Sequence, residues 1–394
     1  MKFMVFRLMS FGLGFFLFAN NSFATDDVTS LCKLRHCMLI VDAGSTGSRA
    51  HLYAYDLDKQ ENVSRIDELY VKKISPGFAD IEPKKEQVNT YLSTLLAQVP
   101  EQDIPVYFYA TAGMRLLPIQ KQQDLYRILK EWFWTQPQWK LIEARTISGS
   151  EEGVFGWLGL NYQLDLLQQP DEQSLASFIE IGGASVQVVF PIEKLDNINK
   201  QDIIGVTING RRVLLFAHSF LGLGATEIAK KFENTGACYP VGFSLVNGEI
   251  AQGDALNCQQ DITQIINQNN AISSITNIAR ENNPTSLWYT VGNASFLAKK
   301  SPEYFPNGQI TPQNMLNYVD TTYCHQDWQF LQKQYETDPY LAKNCLSGVL
   351  YYALTVSGYG FDPDQIINTM PAGKDGDWTL GVLLQQPQSD SHIF

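Results

Sequence analysis

Two segments of this chain share one construction: an apolar strand, an acidic residue, then a turn of glycine and small side chains leading into a second strand. The first is Val41-Asp42-Ala43-Gly44-Ser45-Thr46-Gly47-Ser48-Arg49 and the second is Ile179-Glu180-Ile181-Gly182-Gly183-Ala184-Ser185-Val186-Gln187. Glycine lets successive backbone N–H groups point into one concavity, where they can hold phosphate oxygens. Small hydroxyls add donors without bulk. The acidic residue cannot favour phosphate itself, so its use beside a phosphate chain is to hold a divalent cation, directly or through water. One such turn alone reads more readily as an ordinary hairpin. Two of them, far apart in sequence, point to a pair of loops facing each other across one ligand.

The pattern around the loops predicts a repeated architecture. Arg49 to Leu57 alternates as a strand does, Ile66 to Ile74 reads as a third strand, and Pro83 to Val99 carries apolar residues at helical spacing. Pro105 to Ala110, Gln120 to Trp134 and Trp139 to Ala144 follow as strand, helix and strand, a mixed sheet with helices against it. A comparable order restarts at Ser177, with strands at Ser177 to Ile181, Val186 to Phe190 and Arg212 to His218, then a helix from about Ala225. The stretch 234–283 is rich in Asn, Gln and Gly and reads as an insertion with some helix at Ile262 to Asn267. Leu346 to Ser357 and Trp378 to Gln386 are the last helix candidates.

At 394 residues the chain has room for two domains. Lys2 and Arg7, an apolar stretch from Leu8 to Ala19, and Ser22-Phe23-Ala24 resemble an export signal cleaved after Ala24. An uncleaved anchor is the alternative, but the run is short for a spanning helix, and no later segment is apolar enough to cross a bilayer. A mature form without membrane contact, periplasmic or secreted, is therefore expected. The net charge of −12 argues against a nucleic-acid polymer as partner. Six cysteines in an exported chain favour disulfides over metal sites. Sequence proximity pairs Cys238 with Cys258 and Cys324 with Cys345, and Cys32 with Cys37 would close a small loop. No tandem C-x-x-C spacing suggests zinc.

Five segments now point to a family. They are Asp42 to Arg49; Ala110-Thr111-Ala112-Gly113-Met114-Arg115; Gly149-Ser150-Glu151-Glu152-Gly153 with Trp157 and Asn161; Gly182 to Gln187; and Asp377-Trp378-Thr379-Leu380-Gly381. In this order they resemble the signature segments of the nucleoside triphosphate diphosphohydrolases, or apyrases, and the chain looks like a secreted bacterial member. The resemblance implies an α/β, two-lobed actin-like (ribonuclease H-like) fold with nucleotide in the inter-lobe cleft. Lobe I would comprise 25–148 and 368–394, and lobe II 149–367. It also implies a monomer hydrolysing nucleoside tri- and diphosphates to the monophosphate with Mg²⁺ or Ca²⁺. Most relatives carry aspartate where this chain has Glu180, which bears on the preferred ion.

Hydrolysing a phosphoanhydride requires water placed in line, a base for its proton, and donors for the developing charge. Ser148 and Glu151 fit a capping box at a helix start, which leaves Glu152 on another face as the expected base, where the family match also places it. Ser185 and Gln187 suit orientation of the water. Ser45, Thr46, Gly47 and Ser48 are expected around the leaving phosphate, and Gly182, Gly183 and Ala184 around the terminal one. Asp42 and Glu180 would face each other across the cation, with Thr111 a weaker candidate for the same shell. Arg49 reads as solvated or salt-bridged. Arg115, Trp157 and Asn161 either serve the site or brace Glu152 and the lobe interface, and Trp378 is a cleft-edge aromatic or a core anchor. Tyr289, Asn293 and Tyr340 are candidates for stacking or hydrogen-bonding a base. The competing readings are an exopolyphosphatase or guanosine pentaphosphate phosphatase, and a nucleotide-binding scaffold that lacks turnover.

Overall fold

The computed structural model describes residues 25–59, 62–168, 175–281 and 287–385, so the expected export signal at 1–24 lies outside the described residues. The strands are β1 (His36–Ala43), β2 (Ser48–Leu57), β3 (Val63–Ile74), β4 (Ile104–Ala110), β5 (Trp139–Thr146), β6 (Ser177–Ile181), β7 (Ser185–Pro191), β8 (Ile203–Ile208), β9 (Arg211–Leu221), β10 (Trp288–Gly292), β11 (Gln309–Ile310) and β12 (Ile367–Thr369). The helices are α1 (Thr25–Leu34), α2 (Lys85–Leu96), α3 (Ala112–Arg115), α4 (Ile119–Trp134), α5 (Gly149–Gln163), α6 (Ala225–Phe232), α7 (Ala255–Asn270), α8 (Ile272–Glu281), α9 (Asn293–Lys300), α10 (Pro312–Val319), α11 (Trp328–Gln334), α12 (Asn344–Tyr352) and α13 (Trp378–Gln385).

Two sheets carry the fold. The first runs β3-β2-β1-β4-β5 and the second β11-β12-β10-β6-β7-β9-β8. In each, a leading strand pairs antiparallel with the next (β1 with β2, β6 with β7) and parallel with a later one (β1 with β4, β6 with β10). The anticipated repeat is therefore a repeat of topology, and the architecture is two-lobed and actin-like. β1 is buried along nearly its whole length because helices cover both faces of its sheet, which is why Met38 to Val41 reads as an unbroken apolar run.

Helix α5 joins the lobes. Its residues from Glu151 to Asn161 are buried, so it is apolar on all sides rather than on one stripe. Glycines let neighbours approach it closely: a Cβ on Gly159 would lie 2.6 Å from the Asp377 carbonyl, and one on Gly381 would lie 2.0 Å from the Phe155 carbonyl. This crossing locks α13 onto α5, and Trp378, Leu380, Val382 and Leu383 join Met38, Ile40, Tyr53 and Tyr109 of the first sheet in one cluster. Helix α13 thus returns to lobe I.

The lobe boundary needs correcting. Strand β12 pairs with β10 and β11 in the second sheet, so the return begins after Thr369 rather than at residue 368. The insertion is more helical than anticipated, holding α7 and α8, and β8 and β10 were not foreseen. All three disulfides match the pairings read from sequence: Cys32–Cys37, Cys238–Cys258 and Cys324–Cys345. No helix among the described residues is long and apolar enough to cross a membrane.

Candidate active site

The two glycine turns meet. A Cβ on Gly183 would lie 2.5 Å from Ser45 Oγ and 3.0 Å from Thr46 Cγ2, so any larger residue would have to displace the Ser45 side chain of the opposite lobe. Each turn is braced from behind. Gly77 packs under the first, where a Cβ would lie 2.7 Å from the Gly44 and Ser45 carbonyl oxygens, and Ser75 Oγ donates to the Thr46 carbonyl at 3.3 Å. At the second turn, the N–H groups of Ala225 and Thr226, opening α6, donate to the Gly182 and Gly183 carbonyls at 2.9 and 2.8 Å. Those carbonyls are thereby occupied on the α6 side.

Between the lobes lies a cavity of about 510 Å³, within the usual size of a small-ligand site. Asp42, Ser45, Thr46, Gly47, Thr111, Glu152, Glu180, Gly182, Gly183, Ala184 and Ser185 all line it, as do Arg49, Asn293, Tyr340 and Trp378.

Glu152 sits in the first turn of α5, where the anticipated capping box forms. Ser148 Oγ accepts from the Glu151 N–H at 3.1 Å, and the Glu151 carboxylate accepts from the Ser148 N–H at 2.8 Å. Glu151 further pairs with Arg145 at 2.8 Å, leaving Glu152 to face the cavity. Arg115 Nη2 donates to Glu152 Oε2 at 2.8 Å, and Gln187 Nε2 donates to the same oxygen at 3.0 Å. Both donors also reach Ser185 Oγ, at 3.1 and 2.8 Å. Burial raises the Glu152 pKa above the usual carboxylate range, and Arg115 opposes that rise. Gln187 is buried behind Glu152 and Ser185, and its Oε1 has no partner among the described residues.

Four further carboxylates line the cavity: Asp42, Glu180, Asp375 and Asp377. Burial pushes Asp42 up to about 7 against the pull of Arg49, whose Nη1 lies 3.0 Å from Asp42 Oδ2. Burial, with Glu152 and Asp42 nearby, lifts Glu180 well above its usual value, and Glu180 Oε2 is buried without a partner among the described residues. Buried oxygens crowded in this way are the donor set a hard divalent cation takes. Among the described residues no three His, Cys, Asp or Glu side chains converge as a ready-made metal cage.

His51 and Asp377 are participants the sequence reading did not select. His51 Nδ1 lies 2.7 Å from Glu68 Oε1 and its Nε2 lies 3.3 Å from Asp377 Oδ2. Burial alone would lower the imidazole pKa, yet Asp377 and Glu68 carry it up to about 9. Asp377 Oδ1 accepts from the Thr379 N–H at 2.8 Å and hydroxyl at 2.7 Å, and Thr379 Oγ1 bonds Tyr53 at 2.8 Å. The signal in the sequence was His51 on the same strand face as Arg49, two residues on.

Several expected residues lie elsewhere. Ser48 faces away from the cavity and accepts from Tyr91 at 2.8 Å, because strand alternation sends it opposite to Arg49. Trp157 Nε1 donates to the Ala176 carbonyl at 2.7 Å, and Asn161 exchanges hydrogen bonds with the backbone of Ala176. Both fasten α5 to the entry of β6 and do not line the cavity. Tyr289 packs into the lobe II core around Val154 and Trp157, away from the cavity. Trp378 is both anchor and lining, stacked on Phe155 at 6.3 Å. Thr111 lines the cavity, and its hydroxyl makes no capping bond to α3. Phe296, missed in the sequence, lines the cavity and meets Tyr340 edge to face at 6.1 Å.

The sequence profile of the GDA1/CD39 (nucleoside phosphatase) family matches residues 31–238 and 247–392. This chain belongs to the GDA1/CD39 family. Relatives of this GDA1/CD39 protein include a nucleoside-triphosphatase of Caenorhabditis elegans, 25% identical across 88% of this chain and 72% of the relative. Another is ectonucleoside triphosphate diphosphohydrolase 1 of Bos taurus, 26% identical over 88% of this chain and 80% of the relative. Among solved structures, a nucleoside triphosphate hydrolase of Neospora caninum superposes with a TM-score of 0.63 at 14% identity, covering 93% of this chain and 96% of that one. A Ppx/GppA family member of Aquifex aeolicus superposes at 0.55 with 14% identity, covering 90% and 99%. At those identities the structural likeness speaks for the fold that the GDA1/CD39 chain adopts.

Proposed function

We propose that this protein hydrolyses nucleoside tri- and diphosphates to the monophosphate, with Glu152 taking a proton from water that attacks the terminal phosphorus in line. The observation that carries this reading is the meeting of Ser45 and Gly183 beside a carboxylate whose Oε2 is fixed by two donors. Arg115 and Gln187 hold Oε2, which leaves Oε1 to accept the proton. Ser185 lines the cavity with its hydroxyl free to donate to the water, and Gln187 orients the water from behind by fixing Ser185 Oγ and Glu152 Oε2. The bond from the terminal phosphorus to the bridging oxygen breaks as the new P–O bond forms, and charge grows on the bridging oxygen. Backbone N–H groups of both turns, with the hydroxyls of Ser45 and Thr46, stabilise that charge.

Asp42 and Glu180 would hold a hydrated Mg²⁺ or Ca²⁺, with Thr111 beside them; when bound, such an ion neutralises charge on the phosphate oxygens. Asn293, Phe296 and Tyr340 offer an aromatic and amide face for a base, and stacking of that kind is tolerant of base identity. Three disulfides and the N-terminal pattern fit an exported protein acting as a monomer on nucleotides outside the cytoplasm.

Phosphate release from ATP, ADP, AMP and long-chain polyphosphate, each with and without a chelator, tests the reading. Stepwise release from ATP and ADP, none from AMP and loss on chelation are expected. Preference for polyphosphate would favour an exopolyphosphatase, and binding without turnover a scaffold.

A further inference from the structure

The wall of lobe I carries a cross-strand row whose last member has no task in the chemistry above. Asp42 of β1 pairs in register with Arg49 of β2, and Arg49 pairs in register with Lys73 of β3. All three line the cavity. Arg49 is engaged by Asp42, Arg115 by Glu152, and His51 by Glu68 and Asp377. Lys73 and Lys343 are the lysines of this lining; among the described residues neither forms an ion pair at contact distance, and Lys73 is drawn by Asp42 only at longer range. Lys343 belongs to the segment of Tyr340, on the side proposed for the base, whereas Lys73 stands on the wall that bears the first glycine turn.

The placement of Lys73 is fixed relative to that turn. The next residue, Ile74, lies directly beneath it, since a Cβ on Gly47 would sit 2.6 Å from the Ile74 carbonyl oxygen. Ser75 then bonds the Thr46 carbonyl at 3.3 Å. Lys73 is thereby one residue from the brace of the first glycine turn, on the same wall of the cavity. The chain as a whole carries −12 charges, so a polyanion gains nothing from the overall field and depends on local cations.

We propose that Lys73 is a specificity-determining residue that holds non-bridging oxygens of the nucleotide's inner phosphates and so favours the longer, more highly charged chain. This rests on the hydrolytic reading above. Partial desolvation and the neighbouring Arg49 lower the Lys73 pKa, and Asp42 opposes them, as expected of a largely exposed ammonium beside a positive neighbour. Lysine suits the task, because a compact charge on a flexible stem can follow phosphates that shift between di- and triphosphate.

The test compares Lys73→Gln with Lys72→Gln, a neighbouring strand residue outside the cavity. Lys73→Gln should raise KM for ATP about tenfold and KM for ADP about threefold, the size expected for losing a charge-assisted contact. Lys72→Gln should leave the ATP-to-ADP ratio of kcat/KM at the wild-type value. Titration calorimetry with inorganic tripolyphosphate and pyrophosphate gives a second readout that needs no turnover, and Lys73→Gln should weaken the former more. Unchanged discrimination in both assays, or an equal change in Lys72→Gln, overturns the proposal. A wild-type protein that hydrolyses neither nucleotide yet loses tripolyphosphate affinity in Lys73→Gln would sink the hydrolytic reading and leave the phosphate contact standing.

Discussion

Arg115 Nη2 stands 2.8 Å from Glu152 Oε2 and 3.1 Å from Ser185 Oγ, so one guanidinium from lobe I ties the proposed base to the second glycine turn of lobe II. Its Nη1 is fixed at 3.0 Å on the Ile147 carbonyl, which leaves the group little freedom. Arg115 is therefore a positioning residue. Burial raises the Glu152 pKa and Arg115 opposes the rise, so removing the arginine lets the pKa climb further. Arg115→Gln should move the acid limb of the kcat/KM profile to higher pH and cut the rate at neutral pH at least tenfold. An acid limb that stays in place would show that Arg115 does not act through Glu152.

Glu152→Gln preserves the shape of the site and removes the proton acceptor. Hydrolysis of ATP should fall by roughly 10² or more, with nucleotide affinity kept near wild type. Steady-state phosphate release and equilibrium binding of the same variant separate the two. Turnover within a fewfold of wild type would remove Glu152 from the mechanism.

Gly183→Ala places a methyl group 2.5 Å from Ser45 Oγ across the lobe boundary. The turn itself can fold, because the contact is with side chains of the opposite lobe. The variant should melt close to wild type yet lose activity about tenfold or more, as the methyl group turns Ser45 Oγ away from its place between the two turns. Steady-state phosphate release and a melting curve of the same variant separate the two. A fully active Gly183→Ala protein would mean that the loops need not touch during turnover.

His51 gives stability a pH dependence. Its folded pKa of about 9 lies above the ordinary value of 6.5, so folding is favoured by its protonation. That contribution is complete below pH 6.5 and is lost as pH rises from there to about 9. Melting temperatures of wild type and His51→Gln, measured across this range, should converge as pH rises. A constant difference would argue that His51 acts through packing alone.

The sequence made the glycine turns, the capping box at Ser148 and the paired cysteines legible because each is a local pattern with a local cause. Strand alternation also carried the information that Ser48 and Arg49 face opposite ways, and grouping Ser48 with the phosphate ligands overrode it. His51 with Asp377 was beyond such reading, since the partners meet only once the chain has returned to the first sheet after β12. Tyr53 and Thr379, which fasten the same corner, are 326 residues apart. The short strands β8 and β10 were missed for a related reason: β10 is five residues long and gains its identity from pairing with β6 and β12.

The return of α13 sets an order of assembly. The first sheet has all its strands by Thr146, but the part of the cavity wall formed by Asp377 and Trp378 is translated only after the whole second sheet. A ribosome must therefore deliver both lobes before that corner can be built. Nascent chains and fragments stopped short of Asp377 should be inert toward nucleotide, however well their first sheet has folded.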